Sequence, residues 1–432
     1  MNLQKSLFRV TGRCVLPRRV MAMATVVIDM ATGLIVEVTD AVANTDLRVS
    51  DDCTIFPGFV DTHDHCREDK SGKHLRKEDF VTAGKAAING GVVHVCDMAN
   101  NPEPPVDDAS FLAKNELTKK SPVGVTLYAG IGPETHPLTF RVVYKIFLGP
   151  STQSLNFPTL EAAGVKLREY RGCVVAVHPD DPIIIAASKD EPTHERRRPA
   201  SSEVKAIKFA VQAKNECGLE EVSICHSSTQ EGTEFLAREK LCMGHRISVE
   251  ATPHHQYWDW TMLTDQNRKK LRMNPPLRGP ADRLAIINGL RTGAIDRLAT
   301  DHAPHTPEDK DFNGPEATGD SGVTQLDTVG PFVAWLHHKH NFTQHTIAQV
   351  CSVNPGLFLN RFLPKEEYGN GYGQIASGFM GSLTVLNLKR PVTVTGKMLQ
   401  TKCGWSPFEG ETLPGSVEYT IVRGRVYEPL MR

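Results

Sequence analysis

Eight short β-rich runs recur along the middle of this chain, with helix-like segments between most of them, and that alternation limits the fold more than any other feature. The runs are Phe56–His63, Val92–Met98, Val123–Ile131, Val142–Leu148, Cys173–His178, Glu221–His226, Arg246–Ala251 and Arg297–Asp301. Helix-like segments fall at Glu78–Asn89, Ala109–Thr118, Leu160–Tyr170, Glu203–Cys217, Glu231–Cys242 and Ala281–Leu290. Alternating β and α predicts a parallel sheet, because parallel neighbours need a crossover between them. A count of eight predicts an α/β fold in which the sheet closes into a (β/α)8 barrel. No sequence-level repeat accompanies the count.

The flanks differ from this middle. Phe8–Val15, Ala24–Val38, Ser382–Leu388 and Glu418–Val422 are strand-like, and neither flank alone is long enough for a secure core. The simplest arrangement pairs residues 1–55 and 370–432 into one small composite β-sandwich beside a barrel at 56–369. A length of 432 residues suits that combination. Lys5, Arg9, Arg13, Arg18 and Arg19 all precede the first acidic residue, Asp29, as in a transit peptide. The strand-like alternation there favours mature structure.

Forty-nine Lys and Arg against 50 Asp and Glu leave a net charge of −1, with no electrostatic reason to expect a nucleic-acid or membrane-surface partner. Any anion recognition must be local. No apolar run reaches the roughly 18 residues that span a bilayer. The ten cysteines are scattered without a Cys-x-x-Cys pair, which predicts free thiols in a reducing, cytoplasmic setting.

Chemistry-bearing residues gather at the C-terminal ends of the eight runs, the rim where barrel enzymes place their active sites. In the first run, His63, His65 and Arg67 alternate, so an extended strand would point all three into one space. Two neutral imidazoles suit a divalent transition metal, and the neighbouring guanidinium suits a carboxylate. His178 and His226 each end a run and extend the candidate ligand set. Lys145 sits among apolar neighbours in Val142-Val-Tyr-Lys-Ile-Phe-Leu-Gly149, where an unpaired lysine is rare. It is either an outward-facing lysine or one whose buried, nucleophilic amine adds carbon dioxide to form a carbamate that bridges two cations.

Asp301 closes the eighth run in Leu298-Ala-Thr-Asp-His-Ala-Pro-His305, placed to exchange a proton with a metal-activated water. His302 need not be a ligand, whereas His305 is a candidate donor to a substrate oxygen. Asn274 lies in the stiff Met273-Asn-Pro-Pro-Leu-Arg278 segment, and Asn100 follows the second run. Cys225 and Glu250 flank the site and could both face it, but Cys225 precedes His226, so on a regular strand it would point away, and filler is its default reading. His74, His194, His337, His338 and His340 are expected to be ordinary core or surface residues. Thr306–Gln325 is a long polar loop, more often functional than decorative.

These segments together resemble the dihydroorotases of the amidohydrolase superfamily, nearer the type of many bacteria, archaea and the animal multifunctional pyrimidine protein. The resemblance covers essentially the whole chain. It rests on His-x-His-x-Arg, Lys145-Ile-Phe-Leu, Cys225-His-Ser-Ser-Thr, Ala251-Thr-Pro-His-His255, Asn274-Pro-Pro-Leu-Arg, Ala299-Thr-Asp-His-Ala-Pro-His305 and Pro407-Phe-Glu-Gly410. It implies two zinc ions bridged by N6-carboxylated Lys145 and a hydroxide. One would be held by His63, His65, Lys145 and Asp301, the other by Lys145, His178 and His226. Arg67, Asn100, His305 and Asn274 would bind the substrate, with Ser151 and Thr152 on a closing loop. Cys225 and Glu250 match the positions of a third zinc found in one branch of the family.

The implied activity is reversible hydrolysis of L-dihydroorotate to N-carbamoyl-L-aspartate, used for ring closure in pyrimidine biosynthesis by a homodimer that associates with a separate aspartate transcarbamoylase. Many relatives read His-Val-His-Leu-Arg where this chain has Asp64 and Cys66, and Met-Pro-Asn-Thr where it has Met98-Ala-Asn-Asn101. Two alternatives stay open. One is another cyclic amidase (hydantoinase, dihydropyrimidinase or allantoinase), which shares the metal ligands but generally lacks the Arg and the Asn-Pro-Pro-Leu-Arg segment. The other is an inactive dihydroorotase-like scaffold.

Overall fold

A computed structural model describes residues 7–151, 154–243, 246–315 and 318–432. Strands β1 (Leu7–Leu16), β2 (Val20–Asp29) and β3 (Ile35–Asp40) form an antiparallel meander. The Ala24–Val38 run thus divides in two. Its turn uses Gly33 at a φ of 74°, a conformation that glycine adopts without strain. Strands β4 (Leu47–Arg48) and β5 (Cys53–Pro57) pair with β1 in parallel.

The chain then enters the barrel. Strands β6 (Phe59–Asp64), β7 (Val92–Asp97), β8 (Gly124–Ile131), β9 (Val143–Phe147), β10 (Val174–His178), β11 (Glu221–Ile224), β12 (Ile247–Ala251) and β13 (Arg297–Leu298) pair in sequence order and in parallel. These are the eight expected runs with one correction: Phe56 and Pro57 end β5 in the terminal sheet, and the barrel strand starts at Phe59. Gly58 makes the break. A Cβ there would lie 2.4 Å from Val93 and 2.8 Å from the Ser382 carbonyl, so only glycine lets the chain pass between the two sheets. Helices Phe80–Gly90, Asp108–Thr118, Leu160–Leu167, Ala200–Glu216, Gln230–Met243 and Pro280–Thr292 lie close to their expected limits. Asp79 caps the first by accepting from the Val81 and Thr82 N–H groups, and left-handed Gly91 ends it.

First and last strands meet at the barrel mouth. Asp64 and His302 form a parallel bridge, and the His65 N–H donates to the His302 carbonyl at 2.9 Å. Below them the Thr300 N–H donates to Asp61 Oδ1 at 3.0 Å, and its hydroxyl donates to the same carboxylate.

From the C-terminal side, β14 (Leu383–Asn387) joins β5, and a short hairpin of β15 (Val392–Thr393) and β16 (Thr412–Leu413) follows. Strands β17 (Ser416–Val422) and β18 (Arg425–Tyr427) then complete the terminal sheet. The result is a barrel flanked by a β-sandwich built from both chain ends. Val10, Val26, Ile55, Val385 and Ile421 form its own core, while Phe56, Leu386 and Val417 belong to the barrel's. Residues 388–415 leave the sheet to cover the barrel. Phe408 packs 4.6 Å from Trp258, and Trp405 Nε1 donates to the His305 carbonyl at 2.8 Å. Among the described residues no helix is long and apolar enough to cross a membrane. All ten cysteines are free.

A buried ion pair sits under the mouth. Arg297 Nη2 is 3.3 Å from Glu250 Oε1 and 2.6 Å from Ser223 Oγ, with its guanidinium over the Phe358 ring. Arg297→Met should strand the Glu250 charge and cost about 3–5 kcal/mol, seen as a lower urea midpoint at unchanged slope. An unchanged midpoint would mean that Thr62 and His63 hold Glu250 unaided.

Candidate metal centre

The strand ends deliver His63 from β6, Lys145 from the middle of β9 and His178 from the last position of β10. His65, Arg67, His226 and Asp301 lie just beyond their strands. Alternation therefore accounts for less than expected, since β6 stops at Asp64. Arg67 still reaches the shared cavity because its backbone turns left-handed, with φ 62°. His226 and Asp301 do the same, at 36° and 48°. Such backbone is unfavourable for residues with a Cβ and persists only where the surroundings enforce it. For Arg67 the enforcement is visible next door. The Cys66 N–H donates to Asp97 Oδ1 at 2.8 Å, and Asp97 is paired with buried Lys114 at 2.6 Å.

The resulting cavity of about 780 Å³ is lined by His63, His65, His178, His226, Asp301 and Arg67, among others. Asp301 Oδ1 lies 3.3 Å from His63 Nε2 and 3.0 Å from His65 Nε2. Across the mouth, His178 Nδ1 is 2.8 Å from His226 Nε2. Ligand atoms of His63, His226 and Asp301 fall within 4.8 Å of one another, as do those of His63, Cys225 and Glu250. Lys145 is fully buried, with Nζ 2.9 Å from Cys225 Sγ. Among the described residues no carboxylate lies within ion-pair distance of it.

Burial is the main force on the imidazoles. It holds His63 down to about 4, helped by nearby Lys145. It also holds His65 and His226 well below the usual histidine value, assisted by Arg67 and by His178 respectively. These rings are neutral, with lone pairs available to a cation. His226 Nδ1 is buried without a hydrogen-bond partner. Glu250 Oε2 is 3.1 Å from His63 Nδ1, and Thr62 donates to Oε1 at 2.6 Å. Burial opposes the Glu250 charge, but His63, Arg297 and Thr62 outweigh it and bring the group down to about 2. A carboxylate behind a histidine fixes which ring nitrogen faces a metal.

The opposite side of the cavity is cationic. Arg67 Nη2 lies 3.2 Å from His305 Nε2, and Nε donates to the Pro304 carbonyl. Asn274 lines the cavity with Oδ1 buried and unpartnered. Asn100 also lines it, but its Oδ1 lies 2.5 Å from His65 Nδ1, a positioning contact. Ser151 Oγ is 3.0 Å from His178 Nε2. Thr152 lies outside the described residues.

Two expectations need correction, those for Cys225 and His74, while His194, His302 and the Thr306–Gln325 loop stand as expected. Cys225 does not point away: β11 ends at Ile224, and the kinked backbone lets Cys225 and His226 both face inward. His74 is no ordinary surface histidine, because it lines the cavity. His194 is buried and bonded to the Met273 carbonyl. His302 is fully buried against Glu78, outside the site. The Thr306–Gln325 loop forms one wall through Gly319–Gly322. Asp180, 3.1 Å from His178 Nε2 and paired with Arg198, was passed over despite its tell-tale spacing from a candidate ligand. Lys77 and Asp320, both at His305, carry no local signal.

The profile of the Amidohydrolase family matches residues 54–427. A dihydroorotase of Pyrococcus horikoshii is 31% identical over 383 residues, covering 88% of this chain and 82% of the relative. One from Methanosarcina acetivorans is 30% identical over 397 residues, 86% of this chain and 81% of the relative. Among solved structures, the L-hydantoinase (dihydropyrimidinase) of Arthrobacter aurescens superposes with a TM-score of 0.85 at 20% identity, covering 98% of this chain and 96% of that one. Dihydropyrimidinase of Brevibacillus agri gives 0.82 at 18% identity, over 99% and 96%. The last two show the shared fold.

The histidine shifts have a consequence for stability. Burial holds His63 at about 4 and His94 and His194 at about 3, against 6.5 for a free ring. Below 6.5 the unfolded chain therefore binds protons at these rings that the folded chain refuses, so their contribution to stability falls as pH drops from there towards 4 and is level above. The urea midpoint of metal-free protein should decline between about pH 7 and about pH 4.5, and His94→Gln should soften the decline. Burial raises Asp61, Asp64, Asp97 and Asp327 and so acts in the opposite sense, which makes the difference between variants the test: a His94→Gln profile parallel to wild type throughout would contradict neutral burial of His94.

Proposed function

The chain belongs to the amidohydrolase family, and within it we propose that the protein is a dihydroorotase, opening the ring amide of L-dihydroorotate to N-carbamoyl-L-aspartate and closing it in the direction of pyrimidine synthesis. The observation that carries this reading is the Arg67 guanidinium, buried on the wall of the same cavity as the metal-type cluster. A buried cation facing a cavity calls for an anionic partner. Dihydroorotate has a carboxylate outside its ring. Hydantoins and dihydropyrimidines lack one and would leave Arg67 uncompensated. Dihydroorotases among the curated relatives support the same choice.

The donor set fits zinc: neutral imidazoles, one carboxylate, and a buried lysine without a counter-ion whose carbamate would supply the missing anion. His63, His65 and Asp301 would hold one ion, His178 and His226 the other, with Lys145 as its carbamate between them. Zinc there supplies Lewis acidity, easing deprotonation of water and polarising the ring carbonyl. Glu250 keeps His63 oriented, and its exchange of that task for a third ion, with Cys225, is the alternative use of the same atoms.

Arg67 grips the substrate carboxylate and sets the ring's register, a directional bidentate contact. With Asp301 Oδ1 engaged by two imidazoles, Oδ2 takes the proton released by the attacking water and returns it to the leaving ring nitrogen. Asn274 offers its unpartnered Oδ1 to a ring N–H. The free thiols suit a reducing cytoplasm.

Arg67→Met should lower kcat/KM for dihydroorotate about 30- to 1,000-fold, equivalent to about 2–4 kcal/mol. An unchanged value would remove the basis for the substrate. Exhaustive chelation should abolish turnover in both directions and zinc should restore it; activity that survives would rule out the metal centre.

A further inference from the structure

Three charged groups meet one imidazole. Arg67 Nη2 lies 3.2 Å from His305 Nε2, while Lys77 Nζ at 2.9 Å and Asp320 Oδ2 at 2.8 Å both lie at Nδ1. A guanidinium and an ammonium only donate, a carboxylate only accepts, and a neutral ring has one N–H and one lone pair. When Arg67 donates to Nε2, the ring proton must sit on Nδ1 and go to Asp320. When the proton sits on Nε2, Nδ1 must accept from Lys77, and Arg67 needs another partner. Lys77 Nζ is also 3.0 Å from Asp320 Oδ2 and 3.5 Å from Asp309 Oδ2, so its charge stays paired in both states.

The ring has little freedom to evade this choice by rotating. A Cβ at Gly322 would come 2.9 Å from His305 Cδ2, and the His305 carbonyl is held by Trp405. Lys77 is buried, and its carbonyl accepts from Cys403 Sγ at 2.9 Å. His305, Asp309 and Asp320 also bring metal-type atoms together, but the Lys77 ammonium already stands among them.

We propose that Lys77 and Asp320 form a tautomer switch for His305 that couples it to anion binding. With no anion in the cavity, Asp320 accepts Nδ1–H and Nε2 holds Arg67. When a substrate carboxylate takes Arg67, Lys77 donates to Nδ1, and the Nε2–H turns to that carboxylate as a second donor. This inference rests on the dihydroorotase reading for the identity of the anion, not for the switch itself. Lys77 is a positioning residue acting through His305.

The test is heteronuclear NMR of isotope-labelled histidine in the zinc-loaded enzyme, with the His305 signals assigned from their loss in His305→Gln. The ring should carry its proton on Nδ1 in the free enzyme and on Nε2 with saturating N-carbamoyl-L-aspartate. Lys77→Met should keep the Nδ1–H form with that compound present. It should raise KM for dihydroorotate about tenfold while kcat moves less than about threefold, and Lys77→Arg should recover most of the loss. One tautomer throughout in the wild type, or wild-type switching in Lys77→Met, would overturn the proposal. Absence of wild-type turnover would instead defeat the substrate reading. The switch is then decided by unliganded Asp320→Ala, in which the proton must move to Nε2; a proton still on Nδ1 overturns it.

Discussion

Everything at the mouth depends on the seam between the first and last barrel strands. His63 and His65 belong to one side of it and Asp301 to the other, 236 residues on from His65. The seam is short, because β13 has only two residues in regular strand. Side chains supply what the ladder lacks. Asp61 accepts from the Thr300 N–H and hydroxyl and from the His63 N–H, so one buried carboxylate ties the two strand ends together. Burial raises Asp61 to about 7, despite the opposing bonds from Thr300 and His63. Charge is therefore tolerated there only because three donors converge on it.

Within that frame, three of the potential ligands are oriented by a partner behind them. Glu250 backs His63, Asn100 backs His65, and Asp180 backs His178. The barrel interior below is closed by Arg297, which neutralises Glu250 and rests on Phe358. Burial alone would leave the His63 and His65 rings neutral but with undefined tautomers. The backing groups turn them into directed lone pairs. Lys145 stands apart: its amine has a thiol and an aromatic face beside it and, among the described residues, no carboxylate within ion-pair distance.

The fold was legible because its signal is collective. Eight runs and their intervening helices are long-range regularities that single-residue ambiguity cannot erase; boundaries misled at Phe56–Pro57, where a glycine passes the chain from one sheet to the next without interrupting the apolar pattern, and at the ends of the sixth and eighth runs, whose regular strands stop at Ile224 and Leu298. His63, His178, His226 and Asp301 were legible for the same reason, each ending a run, whereas Lys145 was marked by its apolar neighbours inside one. What alternation could not reveal was direction beyond the strand. Arg67, His226 and Asp301 face the cavity through left-handed backbone, which no periodicity encodes. Lys77 and Asp320 were invisible, because a lysine before a helix and an aspartate in a polar loop are ordinary until the loop is seen folded over the mouth.

That loop also bears on the anion recognition proposed for a chain of near-zero net charge. Lys310 is fully buried and donates to the carbonyls of Arg272 and Gly322, both at 2.9 Å; Lys269 donates to those of Pro315 and Thr318 at 2.8 and 2.5 Å. Burial, with Arg272 nearby, presses Lys310 far below the usual lysine value, so it secures the wall by hydrogen bonds and contributes little field. In the proposed reading the selecting charge would fall to Arg67 and Lys77, whose geometry depends on the wall that the other two lysines hold. Charges this close to a bound carboxylate act within a few ångströms, where salt and the distant surface balance hardly reach. Net charge speaks for long-range steering, and a site that grips its substrate inside a barrel has no need of it.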